Sequence, residues 1–277
     1  MIRLAIAIAS GDAPPNAFVV WRGFESSIAK ARGLGYDGVE LALQDASQVE
    51  PSHIARLLRD NGVSCPCIST GQMFANLKLF FTSPDAATRR EVVKVFKGII
   101  DLAARLGSMV NIGRVRGFVA PDQSPQEARG LFVDVARELA AYALPRHVKL
   151  ILEPVNHHEI NFISSLAQGA DLLDEVAMPN FALMPDLFHM NIEDPSITGE
   201  LERFIKRVAY IHLADSNRRA PGQGHLDFPA IFATLCRCGY DGWAAVEILP
   251  HPDADTAARQ AMDFLRPLKE AYSLGPN

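Results

Sequence analysis

The sequence predicts a closed (β/α)8 barrel of the α/β class, built as a single domain over residues 1–277. Three observations carry that prediction. Eight short apolar runs alternate with longer helix-patterned segments along the whole chain. The runs are almost continuously apolar rather than strictly alternating, as parallel strands covered on both faces should be. The length of 277 residues fits one such barrel, which commonly runs near ~250 residues. An open dinucleotide-binding sheet would want G-x-G-x-x-G after the first strand. That place holds Ser10-Gly11-Asp12-Ala13, which does not match.

The strands are read at Leu4–Ala9, Gly38–Leu43, Ser64–Ser69, Met109–Ile112, Val148–Leu152, Phe181–Pro185, Val208–Leu213 and Trp243–Ile248. The first run has six apolar residues, short of the roughly 7–15 of a secretory leader, so it is read as a buried strand. No stretch approaches the ~18–20 apolar residues of a membrane span, and a cytoplasmic protein is expected. Between the strands, Ser83-Pro84 predicts a helix start, with serine as N-cap and proline at the first helical position. Val92, Phe96, Ile99, Ala103 and Leu106 then repeat at helical spacing, and Gly107 supplies the stop. Ser124-Pro125 opens the next helix, with Ala128, Phe132, Val135, Leu139 and Tyr142 on one stripe. Asp227 is read as the cap of a helix carrying Ile231 and Leu235, with Gly239 behind it. No low-complexity segment or charge block marks a domain boundary.

With 48% hydrophobic and 21% charged residues, the chain is a globular protein able to build an ordinary core. Its net charge of −5 argues against a nucleic-acid partner, which usually leaves a basic stripe. The four cysteines fall as Cys65/Cys67 and Cys236/Cys238, spaced more tightly than zinc pairs. In a strand, Cys65 and Cys67 would share a face and pack as small hydrophobes, so reduced structural thiols are expected.

The chemistry concentrates at the ends of the last four runs, which carry Glu153, Asp186, His212 and Glu247 at intervals of 33, 26 and 35 residues. Each interval is about one β/α unit, and barrels of this kind present catalytic groups at the C-terminal strand ends. Any one of these side chains alone reads as a helix cap or ion-pair partner. Four in register read as a metal site. Carboxylates facing a low-dielectric barrel mouth need a compensating cation, and three together raise one another's pKa. Three carboxylates and one imidazole, without thiolates, suit a single Mn²⁺ or Mg²⁺, with Co²⁺ an alternative.

The segments Leu152-Glu153-Pro154-Val155-Asn156, Asp186-Leu187-Phe188-His189-Met190-Asn191 and His212-Leu213-Ala214-Asp215-Ser216-Asn217-Arg218 resemble the xylose-isomerase-like TIM barrel superfamily of sugar isomerases and epimerases. Within it they resemble the ketose 3-epimerases. Ser69-Thr70-Gly71-Gln72, Gly113–Gly117, Asn161-Phe162-Ile163 and Ala220–His225 look most like the 5-keto-L-gluconate epimerase type. The resemblance implies one divalent ion on Glu153, Asp186, His212 and Glu247, a sugar or sugar-acid substrate, and assembly as a homo-oligomer. It also implies that Glu159, His189 and Arg218 contact substrate or support the acid/base pair.

The expected reaction is epimerisation or isomerisation of a ketose or keto-uronate through a metal-stabilised enediolate, with Glu153 and Glu247 exchanging the α-proton from opposite faces. Gln72 is placed to meet a sugar hydroxyl. Arg114 and Arg116 either clamp a substrate carboxylate bidentately or form surface ion pairs. Gly222-Gln223-Gly224 reads as a lid or a phosphate cradle. Aldose–ketose isomerases and inosose dehydratases share the metal–enediolate chemistry and are the nearest alternatives. The superfamily's AP endonucleases need further histidine ligands, but Gln72 and Gly113 stand on the third and fourth strand ends.

Overall fold

The computed structural model describes residues 1–13 and 17–272. Its elements run β1 (Arg3–Ala9), β2 (Trp21–Arg22), α1 (Phe24–Leu34), β3 (Gly38–Ala42), α2 (Pro51–Asn61), β4 (Cys67–Ser69), α3 (Ala86–Leu106), β5 (Met109–Ile112), α4 (Pro125–Ala143), β6 (Leu150–Leu152), α5 (Leu166–Val176), β7 (Phe181–Leu183), α6 (Leu187–Glu193), α7 (Ile197–Phe204), β8 (Tyr210–Leu213), α8 (Phe228–Arg237), β9 (Trp243–Val246) and α9 (Ala254–Ala271). Eight strands pair in parallel in the order β7-β6-β5-β4-β3-β1-β9-β8. Single bridges between Leu183 and Val208 and between Asp186 and His212 close the ring from β7 to β8. The eight predicted strands are all present. The added β2 pairs with the end of β1 through Ile8 and Trp21.

Strand alternation divides the apolar residues into two layers. On β1, Leu4, Ile6 and Ile8 pack outward among the helices, whereas Ala5 and Ala7 face the barrel interior. The floor of the interior is Ala5, Cys67, Ile151, Ala182, Met184, Tyr210, Trp243 and Ala245. The side chain two residues beyond Ile151, Met184, Tyr210 and Ala245 is Glu153, Asp186, His212 and Glu247, respectively. The period of two therefore lifts all four polar groups into one layer above an apolar floor. Cys65 and Cys67 do not share a face. Cys65 precedes the strand and packs in the outer core, while Cys67 lies inside the barrel. All four cysteines are free thiols.

Helix punctuation follows local chemistry. Ser124 and Glu127 form a reciprocal capping box at α4, with Pro125 at the first position. Asp227 caps α8, and Gly107 closes α3 in the left-handed region at φ 68°. At the start of α3 the cap is Asp85 rather than Ser83, accepting from the amides of Ala87 and Thr88. The carboxylate reaches two amides, and Ser83 instead supports the turn by accepting from Asp85 N. No helix among the described residues is long and apolar enough to cross a membrane.

Arg116 corrects one expectation. It is completely buried and is not among the residues that line the cleft over the barrel mouth. Its five N–H groups donate to the carbonyls of Phe162 (2.7 Å), Glu153 (2.6 Å), Ile163 (2.8 Å), Gly113 (3.2 Å) and Val155 (3.5 Å). The planar fork fits this set of converging carbonyls and has no donor left for a substrate carboxylate. Arg116 thus braces the loop after β6, including Ile163, a β-branched residue held at φ 59°. An Arg116→Met replacement strands several buried carbonyls and should destabilise the fold by about 3 kcal/mol or more. Thermal melts should show a fall of several degrees, with Arg116→Lys only partly restoring it; an unchanged melting temperature would contradict the brace.

Candidate metal and sugar site

The four strand-end residues meet at the top of the barrel. One ligand-type atom from each of Glu153, Asp186, His212 and Glu247 lies within 4.8 Å of the others. His212 Nδ1 stands 3.5 Å from Glu153 Oε1, 3.5 Å from Glu247 Oε2 and 3.7 Å from Asp186 Oδ2. Asp186 plays two parts. Its Oδ1 caps α6 by accepting from Phe188 N at 2.8 Å, and its Oδ2 turns into the cluster. Both Asp186 Oδ2 and His212 Nδ1 are buried without a hydrogen-bond partner, as expected of atoms directed at a cation. The donor set fits one hard or borderline divalent ion.

Arg218 and His189 crowd the cluster from one side. Arg218 donates to Glu247 Oε2 and lies 3.4 Å from Asp186 Oδ2. Its guanidinium is flanked by the rings of Phe18 and Phe188, at 4.4 and 4.8 Å from the centroids. The Arg218 backbone sits at φ 61°, uncommon for a residue with a Cβ. Bonds from Arg218 N to Asp215 O and from Leu249 N to Arg218 O hold it there, each 2.8 Å. His189 is buried between the Asn156 amide (2.7 Å) and Arg218 Nη1 (3.2 Å).

The electrostatics follow from burial and neighbours. Burial opposes ionisation of Glu153 and Asp186, but His212, His189 and, for Asp186, Arg218 outweigh it and hold both carboxyls below their usual range. Burial pushes Glu247 up to about 8, against the pull of His212 and Arg218, with Glu153 and Asp186 adding to the rise. Burial lowers His189 below the ordinary imidazole value, with Arg218 adding to the fall and Asp186, Glu153 and Glu159 opposing it. For His212, burial is outweighed by Glu40, Glu247 and the other cluster carboxylates, and its pKa lies well above the ordinary value.

A cleft opens over the cluster, lined by Phe18, Gln72, Asn111, Arg114, Glu159 and His189 as well as Glu153, Arg218 and Glu247. Gln72, Glu159, His189 and Arg218 therefore reach the same space as the ligands. Arg114 reaches it where Arg116 does not, with its Nη1 3.9 Å from Glu159 Oε2. The Gly222-Gln223-Gly224 loop is no anion cradle of the simple kind. The amides of Ser216, Gly222 and Leu226 already donate to the buried Asp215 carboxylate.

Sequence reasoning missed Asn111, whose Nδ2 donates to Glu153 Oε2 at 2.8 Å. It also missed the need for Gly113, where a Cβ would stand 2.7 Å from Glu153 Oε2 and 2.9 Å from Asn111 Oδ1. The available signal was a lone amide inside the apolar run Met109–Ile112.

Residues 28–268 match the family model described as xylose isomerase-like TIM barrel. The chain belongs to this family. Relatives within it include an L-ribulose 3-epimerase from Methylomonas sp., 30% identical over 222 residues, spanning 79% of this chain and 76% of that protein. A D-psicose 3-epimerase from Agrobacterium fabrum is 27% identical over 231 residues, 81% of this chain and 78% of the other. Among solved structures, D-allulose 3-epimerase from Methylomonas sp. in complex with D-allulose superposes with a TM-score of 0.81 at 26% identity, covering 96% of each chain. These relatives bear 3-epimerase names rather than that of a 5-keto-L-gluconate epimerase.

In the metal-free protein, burial pushes Glu247 up to about 8 and the surrounding carboxylates hold His212 above its ordinary value, so both lean towards their protonated forms. Both ligands must lose a proton for an ion to bind. Calorimetric titration of Mn²⁺ in buffers of different ionisation enthalpy should therefore register release of at least one proton near pH 7. Affinity should climb as pH rises towards about 8, the value for Glu247. Binding without proton release would contradict this account of the cluster.

Proposed function

We propose that this protein is a divalent-metal-dependent sugar epimerase that inverts the carbon beside the ketone of a ketose or keto-uronate. The observation that carries the reading is the convergence of Glu153 and Glu247 on one metal-type cluster beneath a polar cleft. Family membership and the 3-epimerase relatives support it. Mn²⁺ or Mg²⁺ is the expected ion, on Glu153, Asp186, His212 and Glu247. Once bound there, such an ion supplies Lewis acidity that favours negative charge on the substrate oxygens.

The remaining work falls to side chains of the chain itself. Glu153 and Glu247 are the proposed acid/base pair. One takes the proton from the carbon acid; the other returns a proton to the opposite face of the planar enediolate, inverting the centre. Asn111 orients Glu153 by holding Oε2, and Arg218 orients Glu247. A bound substrate would meet His189 and Arg218 at its oxygens, with Gln72 and Glu159 at its hydroxyls. The half-buried rings of Phe18 and Phe188 and the aliphatic parts of the wall limit water near the carbanion.

A keto-uronate such as 5-keto-L-gluconate is the second substrate reading. The observation favouring it is Arg114, which lines the cleft and is only loosely engaged by Glu159. A carboxylate is a better partner for that guanidinium than a hydroxyl.

The test is NMR in deuterated water with Mn²⁺ and a panel of ketohexoses, keto-uronates and their phosphates. Deuterium should enter at the inverted carbon while the ketone stays in place; an aldose product would replace this reading with an aldose–ketose isomerase. Glu153→Gln and Glu247→Gln should each lower kcat by about 10²–10⁴-fold while substrate still binds. Full activity in either variant would rule out the assigned pair.

A further inference from the structure

Glu40 lies on β3 inside the barrel and is entirely shielded from solvent. Its sequence neighbours Val39 and Leu41 pack outward in the main apolar core, so strand alternation turns Glu40 inward. Next to it in strand register is Cys67, a member with Tyr210 of the apolar floor. A carboxylate in that setting is unfavourable, and an apolar residue of similar size would serve packing at least as well. Its hydrogen-bond partner accounts for its place. Both Glu40 oxygens face His212 Nε2, at 3.2 and 3.0 Å. The opposite ring nitrogen, Nδ1, is the atom that looks into the cluster, 3.5 Å from Glu153 Oε1 and Glu247 Oε2.

An imidazole carrying one proton has one donor nitrogen and one lone pair, and the partner of the donor decides which is which. Glu40 is an acceptor at Nε2. We propose that Glu40 is a positioning residue for the metal site, fixing His212 as the Nε2–H tautomer with its Nδ1 lone pair aimed at the ion. The carboxylate also fixes the ring's rotation, because the two oxygens bracket Nε2, while the edge of the Tyr210 ring, 5.9 Å between centroids, packs against it. It acts through His212 and lies outside the cleft lining, so it makes no contact with substrate. This inference rests on the metal reading of the four-residue cluster, and its test separates the two.

The experiment compares wild type, Glu40→Gln and Glu40→Leu by Co²⁺ titration followed through visible absorption, by calorimetric Mn²⁺ binding, and by thermal melts of the metal-free proteins. Wild type should bind both ions; if it binds neither, the metal reading fails before Glu40 is tested. Glu40→Leu should bind about 10–100-fold more weakly, with an altered Co²⁺ spectrum, while its metal-free melt is equal to or above wild type. Glu40→Gln keeps an acceptor and should recover part of the affinity. ¹⁵N NMR of histidine-labelled protein loaded with Mg²⁺ should show the proton of His212 on Nε2 in wild type. If Glu40→Leu does not fold, the Glu40→Gln affinity and spectrum decide. Variants that fold and bind both ions within twofold of wild type, or a wild-type His212 protonated on Nδ1, would overturn the proposal.

Discussion

Mutual repulsion among Glu153, Asp186 and Glu247 is the constraint around which the barrel mouth is organised. Two unit charges 4 Å apart at an effective dielectric near 20 repel by about 4 kcal/mol, and here three carboxylates share one small buried space. The chain answers with His212 from β8, His189 from α6 and Arg218 from the loop after β8. These groups do not remove the strain from all members equally. Asp186 and Glu153 are held ionised, while Glu247 is pushed towards its protonated form. A divalent cation is a counter-charge that would let all four groups adopt their ligand forms at once.

That demand shapes parts of the fold away from the cluster. Arg218 reaches the carboxylates from a left-handed backbone conformation, which the Asp215 carbonyl and the Leu249 amide maintain. The Asp215 side chain gathers the amides of Ser216, Gly222 and Leu226, so one buried carboxylate ties down the loop that presents Arg218. On the other side, Arg116 gathers carbonyls from the segment beginning at Glu153. The two devices are complementary: an anion collects N–H groups in one loop and a cation collects C=O groups in another. Each positions a member of the cluster through backbone bonds, so the cluster side chains keep their polar atoms for the cleft.

The eight-fold alternation and the ligand quartet were legible because both are properties of spacing. A parallel strand buried on both faces leaves an apolar run, and a polar residue at its C-terminal end stands out against it. Residues that act through backbone contacts were not legible. Arg114 and Arg116 look alike in Gly113–Gly117, and only the path of the loop after β6 decides that Arg114 lines the cleft and Arg116 is enclosed. Glu40 and Asn111 were visible as polar residues inside apolar runs, yet their partners lie 172 and 42 residues away. The start of α3 moved from Ser83 to Asp85 because a carboxylate two residues on can accept from two amides.

The environments of Glu153 and Glu247 bear on reversibility. An epimerase runs in both directions, so each member of the proposed pair must act as base in one direction and acid in the other. Large differences in proton affinity would favour one direction of transfer over the other. In the metal-free cluster the two differ widely, because the His212 imidazolium and His189 favour ionised Glu153 whereas burial dominates at Glu247. Loss of the Nδ1 proton from His212 removes part of what distinguishes them, and a charge shared among all four ligands acts on both glutamates. Asn111 on one carboxylate and Arg218 on the other then remain as the principal differences. A charged donor stabilises a carboxylate more than a neutral amide does, so Arg218 opposes the burial penalty at Glu247. A divalent ion held by all four groups would narrow the gap between the two glutamates, as two-way exchange by the proposed pair requires.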